Sequence, residues 1–157
     1  GFGEAKISPN MAVFINLKQD HLNYYPDEET YFADKANIYK FQKDEDILIT
    51  NQTLLDSWIS KEKPPARVLV RRPLPADWKL RIIGEHNREN AAFAAEALRT
   101  FGLSENKIKD GIESFTGVEG RLQFVREING IAIYNDTPTK KPAVPVCRSR
   151  CLSGTLI

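Results

Sequence analysis

The chain has 157 residues, which is enough for a domain of ordinary size that buries about 70% of its unfolded surface. Its 22 lysine and arginine residues nearly balance its 21 aspartate and glutamate residues, which argues against a surface dedicated to nucleic acid or to an anionic membrane. It has no transmembrane-length apolar run and no signal-peptide pattern, so we expect a cytoplasmic protein without membrane contact.

The first clear pattern is a strand, a polar turn and a helix. Residues 11–17 are apolar and partly β-branched, which predicts a buried strand, and His21 follows it. Pro26 and the acids after it start a helix, where the helix dipole favours negative charge. Helical spacing places Lys35 beside an aromatic face, so we expect this lysine to be half-buried.

Taken alone, neither side chain indicates a single role. A histidine after a strand is often a loop or capping residue rather than a ligand. A lysine on a mixed helix face usually extends its ammonium group to water while its stem stays on apolar surface.

Strands and helices then alternate along the chain. Residues 47–51 and 67–71 read as a second and a third strand, with a short helix over 54–61 between them. We interpret residues 78–83 as a fourth strand or a strand pair. This alternation predicts an α/β fold with a sheet flanked by helices.

A second informative stretch, GEHNREN, covers residues 84–90. We expect Gly84 to make a tight turn and Asn87 to cap the alanine-rich helix that follows. Asn87 and Asn90 are three residues apart, so both lie on one side of the first helical turn. The alternative is that Asn87 is only a cap and that Asn90 is a solvated polar residue.

Another helix and a β-hairpin complete the readable pattern. Gly102 is expected just past the end of the alanine-rich helix, and Ser104 is expected to cap the next helix. Residues 122–128 and 131–134 flank Asn129-Gly130, which supplies both positive φ angles of a type I′ turn.

Four separate motifs resemble those of the Mur ligases, the ATP-dependent amino-acid-adding enzymes of peptidoglycan synthesis. They are DHLN at 20–23, ADKANIY at 33–39, GEHNRENAAFAA at 84–95 and NDT at 135–137. The resemblance implies that His21 binds Mg²⁺ and that Lys35 is carbamylated, so that its carbamate helps to hold the metal. A carbamate supplies the oxygen ligands that Mg²⁺ prefers. Asn23 departs from the aspartate that many members have there.

The same resemblance implies the contacts to ATP. It assigns Asn87 and Asn90 to the adenine, whose edge suits an amide because an amide both donates and accepts hydrogen bonds. It assigns Arg121 to the nucleotide and Asp136 to the ribose. Without the resemblance, Arg121 reads as an exposed linker residue and Asp136 as a turn residue at a strand end.

The resemblance also divides the chain. Residues 1–117 correspond to the C-terminal portion of the central ATP-binding domain, and residues 118–137 to the linker and first hairpin of the C-terminal ligase domain. Residues 138–157 form an atypical tail with four basic residues, no acid and both cysteines. Our hypothesis for this tail is a frameshift or a truncated reading frame, and the alternative is a natural basic tail. The two cysteines have no second pair, so we expect no zinc site.

Within the family, the linker and hairpin are most similar to the members that add D-glutamate to UDP-N-acetylmuramoyl-L-alanine. The chain contains no G-x-x-x-x-G-K-[ST] phosphate loop, which in the family lies upstream. We therefore expect a fragment that is inactive alone, from an enzyme that is a monomer at full length. The alternative is a stand-alone α/β module that binds nucleotide weakly or serves as a scaffold.

Overall fold

Three parallel strands form the centre of the fold in the computed structural model, which describes residues 1–17, 25–121 and 123–135. The strands lie side by side in chain order and are β1 (Met11–Val13), β2 (Ile47–Thr50) and β3 (Arg67–Val70). Ile47 pairs with Met11 on one side and with Arg67 on the other. The expected α/β fold class is confirmed.

Helices connect these strands and follow them in the chain. The helices are α1 (Phe2–Ala5), α2 (Glu28–Ala36), α3 (Gln52–Leu54), a π-helical turn (Leu55–Ile59), α4 (Ser60–Glu62), α5 (Glu85–Thr100) and α6 (Glu105–Ser114). Among the described residues, no helix has the length and the apolar character needed to cross a membrane.

A first hydrophobic core joins α2 and the π-helical turn to the sheet. The ring of Phe32 lies 6.1 Å from that of Phe14 and 4.7 Å from that of Trp58. Leu48 and Ile59 are fully buried in the same cluster. Aromatic pairs of this kind add about 0.5–1.5 kcal/mol each beyond the area that they bury.

Side-chain donors end the sheet at its carboxyl edge. The Thr50 hydroxyl donates to the Phe14 carbonyl at 3.1 Å, and the Asn51 amide donates to the Ile15 carbonyl at 2.8 Å. These carbonyls therefore have partners without a further strand ladder. For this reason β1 ends at Val13, and the strand predicted over 11–17 is shorter than expected.

Side chains also tie the amino ends of the strands together. The Gln42 amide donates to the carbonyls of Pro9 and Ile47, at 2.8 and 2.9 Å. The Asp46 carboxylate accepts from the Lys43 backbone amide and from the Asn10 side chain. Those two hydrogen bonds, the Lys43 amide first, hold the pKa of Asp46 below its ordinary value.

A second hydrophobic core packs α5 on α6. Its buried members are Leu74, Trp78, Ala92, Ala95, Ile108 and Ile112. The alanines are small enough to let the two helices approach closely, and the 74–80 segment covers one side of the pair.

The fourth strand predicted over 78–83 is wrong, because this segment has no ladder partner in the described structure. The guanidinium of Arg88 donates to the carbonyls of Leu74, Pro75 and Trp78. The Lys79 backbone amide donates to Glu113 at 2.8 Å. Helix side chains thus satisfy backbone groups that a strand would have paired, while Trp78 still contributes its ring to the second core.

The predicted helix starts are partly right. Asp27 is the N-cap of α2, and its carboxylate accepts from the Thr30 amide at 2.7 Å. Ser104 stands at the N-cap of α6, although its side chain makes no capping bond. Asn87 is not a cap, because Gly84 adopts a φ of 102° and lets α5 begin at Glu85.

A β-hairpin lies at the end of the described chain. Strands β4 (Gln123–Ile128) and β5 (Ile131–Asn135) are antiparallel and are joined by Asn129 and Gly130 at φ angles of 51° and 79°. The type I′ turn is confirmed. A register shift between Phe124 and Arg126 leaves Val125 as a bulge.

Much of the apolar surface of this hairpin is exposed. Its exposed apolar residues are Phe124, Val125, Ile128, Ile131 and Ile133. The ring of Phe124 contacts that of Tyr134 at 5.6 Å.

Tyr39 gives a test of the first core. Its side chain is 1% exposed, and its hydroxyl has no hydrogen-bond partner among the described residues. Burial, with a smaller contribution from the charge of Glu62, raises the pKa of Tyr39 well above its ordinary value. Above about pH 10 the unfolded chain therefore loses a proton that the folded chain retains, which destabilises the fold.

We expect the free energy of unfolding, measured by urea titration, to fall less steeply above about pH 10 in Tyr39→Phe than in the wild type. At pH 7 the same variant should be as stable as the wild type or more stable by up to about 1 kcal/mol, because it removes an unpaired hydroxyl. Tyr134→Phe on the hairpin is the control. Equal alkaline slopes in wild type and Tyr39→Phe would contradict this account.

Candidate functional site

The carboxyl ends of the parallel strands define the candidate site, because ligands of open α/β sheets bind outside this edge. Phe14 follows β1, Asn51 follows β2 and Arg71 follows β3. The Arg71 amide donates to the Thr50 carbonyl at 2.8 Å, so the chain after β3 stays against the end of β2. His21, predicted for the metal, follows β1 but lies outside the described residues.

Arg71 connects this edge to α5. Its guanidinium forms an ion pair with Glu89 and lies over the Phe93 ring, 5.8 Å from the ring centroid. The side chain is only 19% exposed. No sequence motif indicated a role for Arg71, although its position at the end of the strand predicted over 67–71 was a usable signal.

Lys35 lies on the exposed side of α2, and the expectation that it is half-buried is wrong. Tyr31, Phe32 and Ala36 are the buried residues of this helix. The Lys35 ammonium lies 5.4 Å from the centroid of the Tyr31 ring, a cation–π distance. The Lys35 side chain therefore contacts Tyr31 at the border of the aromatic face of α2, and its ammonium group remains in water.

An open groove of about 490 Å³ runs beside Lys35 between α1 and α2. It is lined by Gly1, Phe2, Gly3, Glu4, Asp34, Lys35, Asn37 and Ile38. Gly3 allows the close approach, since a Cβ there would lie 2.9 Å from the Asn37 amide. Asp34 accepts a hydrogen bond from the Tyr25 hydroxyl.

The described residues contain no group of three histidine, cysteine or acidic side chains that could hold a metal ion. Lys35 is the one residue predicted for Mg²⁺ that the structure describes. The role of His21 and Lys35 in metal binding therefore stays a prediction.

The two predicted adenine contacts lie in the first half of α5. The side-chain amide of Asn87 already makes one hydrogen bond, because its nitrogen donates to the Ile83 carbonyl at 2.7 Å. Asn90 is exposed, and its amide has no partner within the described part of the chain. The amide of Asn90 is therefore available to a ligand, while Asn87 offers its oxygen and its second N–H.

Arg121 lies in the linker between α6 and the hairpin. Its backbone amide donates to the Val118 carbonyl at 3.1 Å, and its side chain is exposed. In the described residues, no hydrogen bond or ion pair joins Arg121 to Asn87 or Asn90. Asp136, predicted for the ribose, lies beyond the described residues.

A second cavity of about 390 Å³ lies between this linker and the hairpin. It is lined by Arg81, Thr116, Gly117, Val118, Glu119, Gln123, Phe124 and Tyr134. Gly117 has a φ of 99°, and a Cβ there would lie 3.2 Å from Ile82. The sequence pattern did not indicate this cavity, because it brings together segments on both sides of α5 and α6.

Comparisons with known proteins give the family context. The family model described as "Mur ligase middle domain" matches residues 3–72. This range includes the whole three-stranded sheet, α2 with Lys35, and Arg71.

Curated relatives match over a longer range. The chain is 31% identical over 150 aligned residues to the UDP-N-acetylmuramoylalanine–D-glutamate ligase of Aquifex aeolicus, covering 85% of the chain and 35% of that protein. It is 34% identical over 132 residues to the enzyme of the same name from Lawsonia intracellularis, covering 82% of the chain and 29% of that protein. The chain thus spans about a third of the length of the curated relatives that it matches.

Solved structures support the fold. A crystal structure of MurF from Acinetobacter baumannii superposes with a TM-score of 0.69 at 21% identity and covers 87% of the chain and 36% of that protein. MurF from Thermotoga maritima, solved in complex with ADP, superposes with a TM-score of 0.64 at 20% identity, covering 83% of the chain and 36% of that protein. The solved structures show the fold, and the middle-domain match together with the curated relatives shows that the chain belongs to the Mur ligase family.

Proposed function

We propose that the chain is part of an ATP-dependent ligase that adds D-glutamate to UDP-N-acetylmuramoyl-L-alanine in peptidoglycan synthesis. The observation that carries the proposal is the similarity to D-glutamate ligases over more than four-fifths of the chain. The second candidate is a stand-alone α/β module that binds nucleotide or acts as a scaffold, and the exposed amide of Asn90 supports the nucleotide binding that it would need.

ATP is the proposed nucleotide, and α5 is its proposed contact. One structural relative was solved with ADP, and the exposed amide of Asn90 offers both a donor and an acceptor to an adenine edge. Asn87 contributes its carbonyl oxygen and its second N–H, since one N–H is engaged with Ile83. Arg121 and Asp136 are proposed to reach the rest of the nucleotide.

Mg²⁺ is the proposed metal, with His21 and a carbamylated Lys35 as its ligands from this chain. Carbamylation adds CO₂ to the neutral amine with loss of a proton, and it turns a cation into an anion with two oxygens. The exposed Nζ of Lys35 is accessible to CO₂, and its lateral contact with Tyr31 orients the stem. When bound, Mg²⁺ would neutralise phosphate charge.

The proposed reaction has two steps. The carboxylate of UDP-N-acetylmuramoyl-L-alanine attacks the γ-phosphorus of ATP, an O–P bond forms, and ADP leaves. The amine of D-glutamate then attacks the acyl carbon, the C–O bond to phosphate breaks, and the amine loses a proton. The proposed share of this chain is to hold the nucleotide and to supply metal ligands, and no side chain needs to form a covalent intermediate.

The proposed domain division follows from the similarity to the D-glutamate ligases. Residues 1–117 would be the C-terminal portion of the central ATP-binding domain, 118–137 the linker and first hairpin of the ligase domain, and 138–157 an atypical tail. A full-length parent enzyme would be a cytoplasmic monomer.

The 157-residue chain alone should show no ligase turnover, because it has no phosphate loop to hold the γ-phosphate. The measurement is phosphate release in a coupled assay with UDP-N-acetylmuramoyl-L-alanine, D-glutamate and Mg-ATP. The full-length enzyme from Aquifex aeolicus is the positive control. Turnover that disappears in Asn90→Ala would contradict the expectation.

Asn90→Ala should weaken Mg-ATP binding by the chain, measured by calorimetry, by roughly 3- to 10-fold, the loss expected for one or two hydrogen bonds. The matched control is Asn106→Ala, which removes an exposed asparagine from the first turn of α6. GTP, which presents a different base edge, should bind more weakly than ATP to the wild type. Equal affinities of wild type and Asn90→Ala would refute the adenine contact.

Carbamylation can be observed directly. In the presence of ¹³C-bicarbonate and Mg²⁺ at pH 8.5, the chain should show a carbamate carbon resonance by NMR that is absent from Lys35→Arg. Arginine keeps the charge and the helix propensity but forms no such carbamate. Lys40→Arg, which alters an exposed lysine just beyond α2, is the control and should retain the resonance.

A further inference from the structure

Arg71 is held at the carboxyl end of β3 by its own backbone. Its amide donates to the Thr50 carbonyl at 2.8 Å, and Thr50 in turn is fully buried. The base of the Arg71 side chain therefore belongs to the rigid sheet, while its guanidinium extends to α5.

The guanidinium meets α5 at two points on one face. Its Nη2 pairs with Glu89, and its Cζ lies over the ring of Phe93, four residues further along the helix. Residues four apart lie above one another on a helix surface. Contact with both therefore restrains the rotation of α5 about its axis as well as its distance from the sheet.

The Nε donor of Arg71 supports the same conclusion. Its Nε is buried and has no hydrogen-bond partner among the described residues. The conformation that brings the guanidinium to Glu89 and Phe93 leaves Nε without a hydrogen bond. An unpaired buried donor costs free energy, so the two contacts must offset that cost.

Rotation of α5 decides where Asn90 points. Asn90 directly follows Glu89, so it lies about 100° further around the helix. On the other side of the first turn, Arg88 binds the carbonyls of Leu74 and Trp78. Arg88 holds the helix to the second core, and Arg71 holds it to the sheet.

We propose that Arg71 is a positioning residue for nucleotide binding: through Glu89 and Phe93 it sets the rotation of α5 that presents the Asn90 amide at the carboxyl edge of the sheet. Arg71 does not itself contact the nucleotide. The proposal rests on the proposed function, in which Asn90 binds adenine.

The primary test compares two neighbouring arginines that both pair with α5. Arg71→Met keeps an apolar stem over Phe93 but removes the charge, and we expect about 5-fold weaker Mg-ATP binding by calorimetry. The matched control is Arg72→Met, which removes an ion pair to Glu96 further along the same helix and should change the affinity less than 2-fold. Arg71→Lys, which keeps the charge and the contact with Phe93, should recover most of the affinity.

A double-mutant cycle between Arg71 and Asn90 distinguishes a positioning role of Arg71 from a general effect on the stability of the fold. In an Asn90→Ala background, Arg71→Met should weaken binding less than 2-fold further, because both changes remove the same contact. An independent 5-fold loss in that background would overturn the proposal. Glu89→Gln is the second variant, which serves if Arg71→Met fails to fold, and it should also weaken binding.

A second readout needs no nucleotide. In ¹⁵N NMR spectra of the free chain, the side-chain amide resonances of Asn90 should shift in Arg71→Met and Glu89→Gln but remain in place in Arg72→Met. If the wild type binds no nucleotide, the proposed function fails, and these resonances still decide the role of Arg71. Unchanged Asn90 resonances in both Arg71→Met and Glu89→Gln would overturn it.

Discussion

The structure depends on how backbone groups find partners where the parallel ladder stops. Thr50 and Asn51 donate to carbonyls of the chain that leaves β1, and Arg88 donates to carbonyls in the segment after β3. Because an unpaired buried carbonyl costs free energy comparable to a lost hydrogen bond, these side chains determine where the sheet ends. The space beyond the ends of the strands is left to irregular segments, and the candidate site lies there.

Local chemistry made part of this fold predictable. Asp27 ahead of an acidic turn, the β-branched run of β2 and the Asn129-Gly130 turn each determine a conformation within a few residues, and the structure agrees. The errors arose where distant contacts compete with local pattern. The alternation of Trp78, Leu80 and Ile82 is that of a strand, but Arg88 and Glu113 bind the backbone groups that a ladder would use.

In the candidate site, too, local motifs could be predicted and long-range contacts could not. The motif around Asn90 could be recognised because its residues are contiguous, and the helix that carries it forms, although it begins at Glu85 rather than after Asn87. The contact of Arg71 with Glu89 spans 18 residues and requires the packing of α5 against the sheet, which no local pattern reveals. The exposure of Lys35 was misjudged for a related reason: helical spacing places it beside Tyr31, but α2 is turned so that Phe32 packs against Phe14 and Trp58, which leaves Lys35 on the exposed side.

The hairpin has a consequence for the hierarchy of unfolding. Two strands with most of their apolar side chains in water are marginal on their own. Among the described residues, the Gly120 amide donates to the Gln123 side chain at 3.1 Å and so ties β4 to the preceding linker. The three-stranded sheet, by contrast, surrounds fully buried residues. We therefore expect the described hairpin to open locally at a lower free energy than the three-stranded sheet.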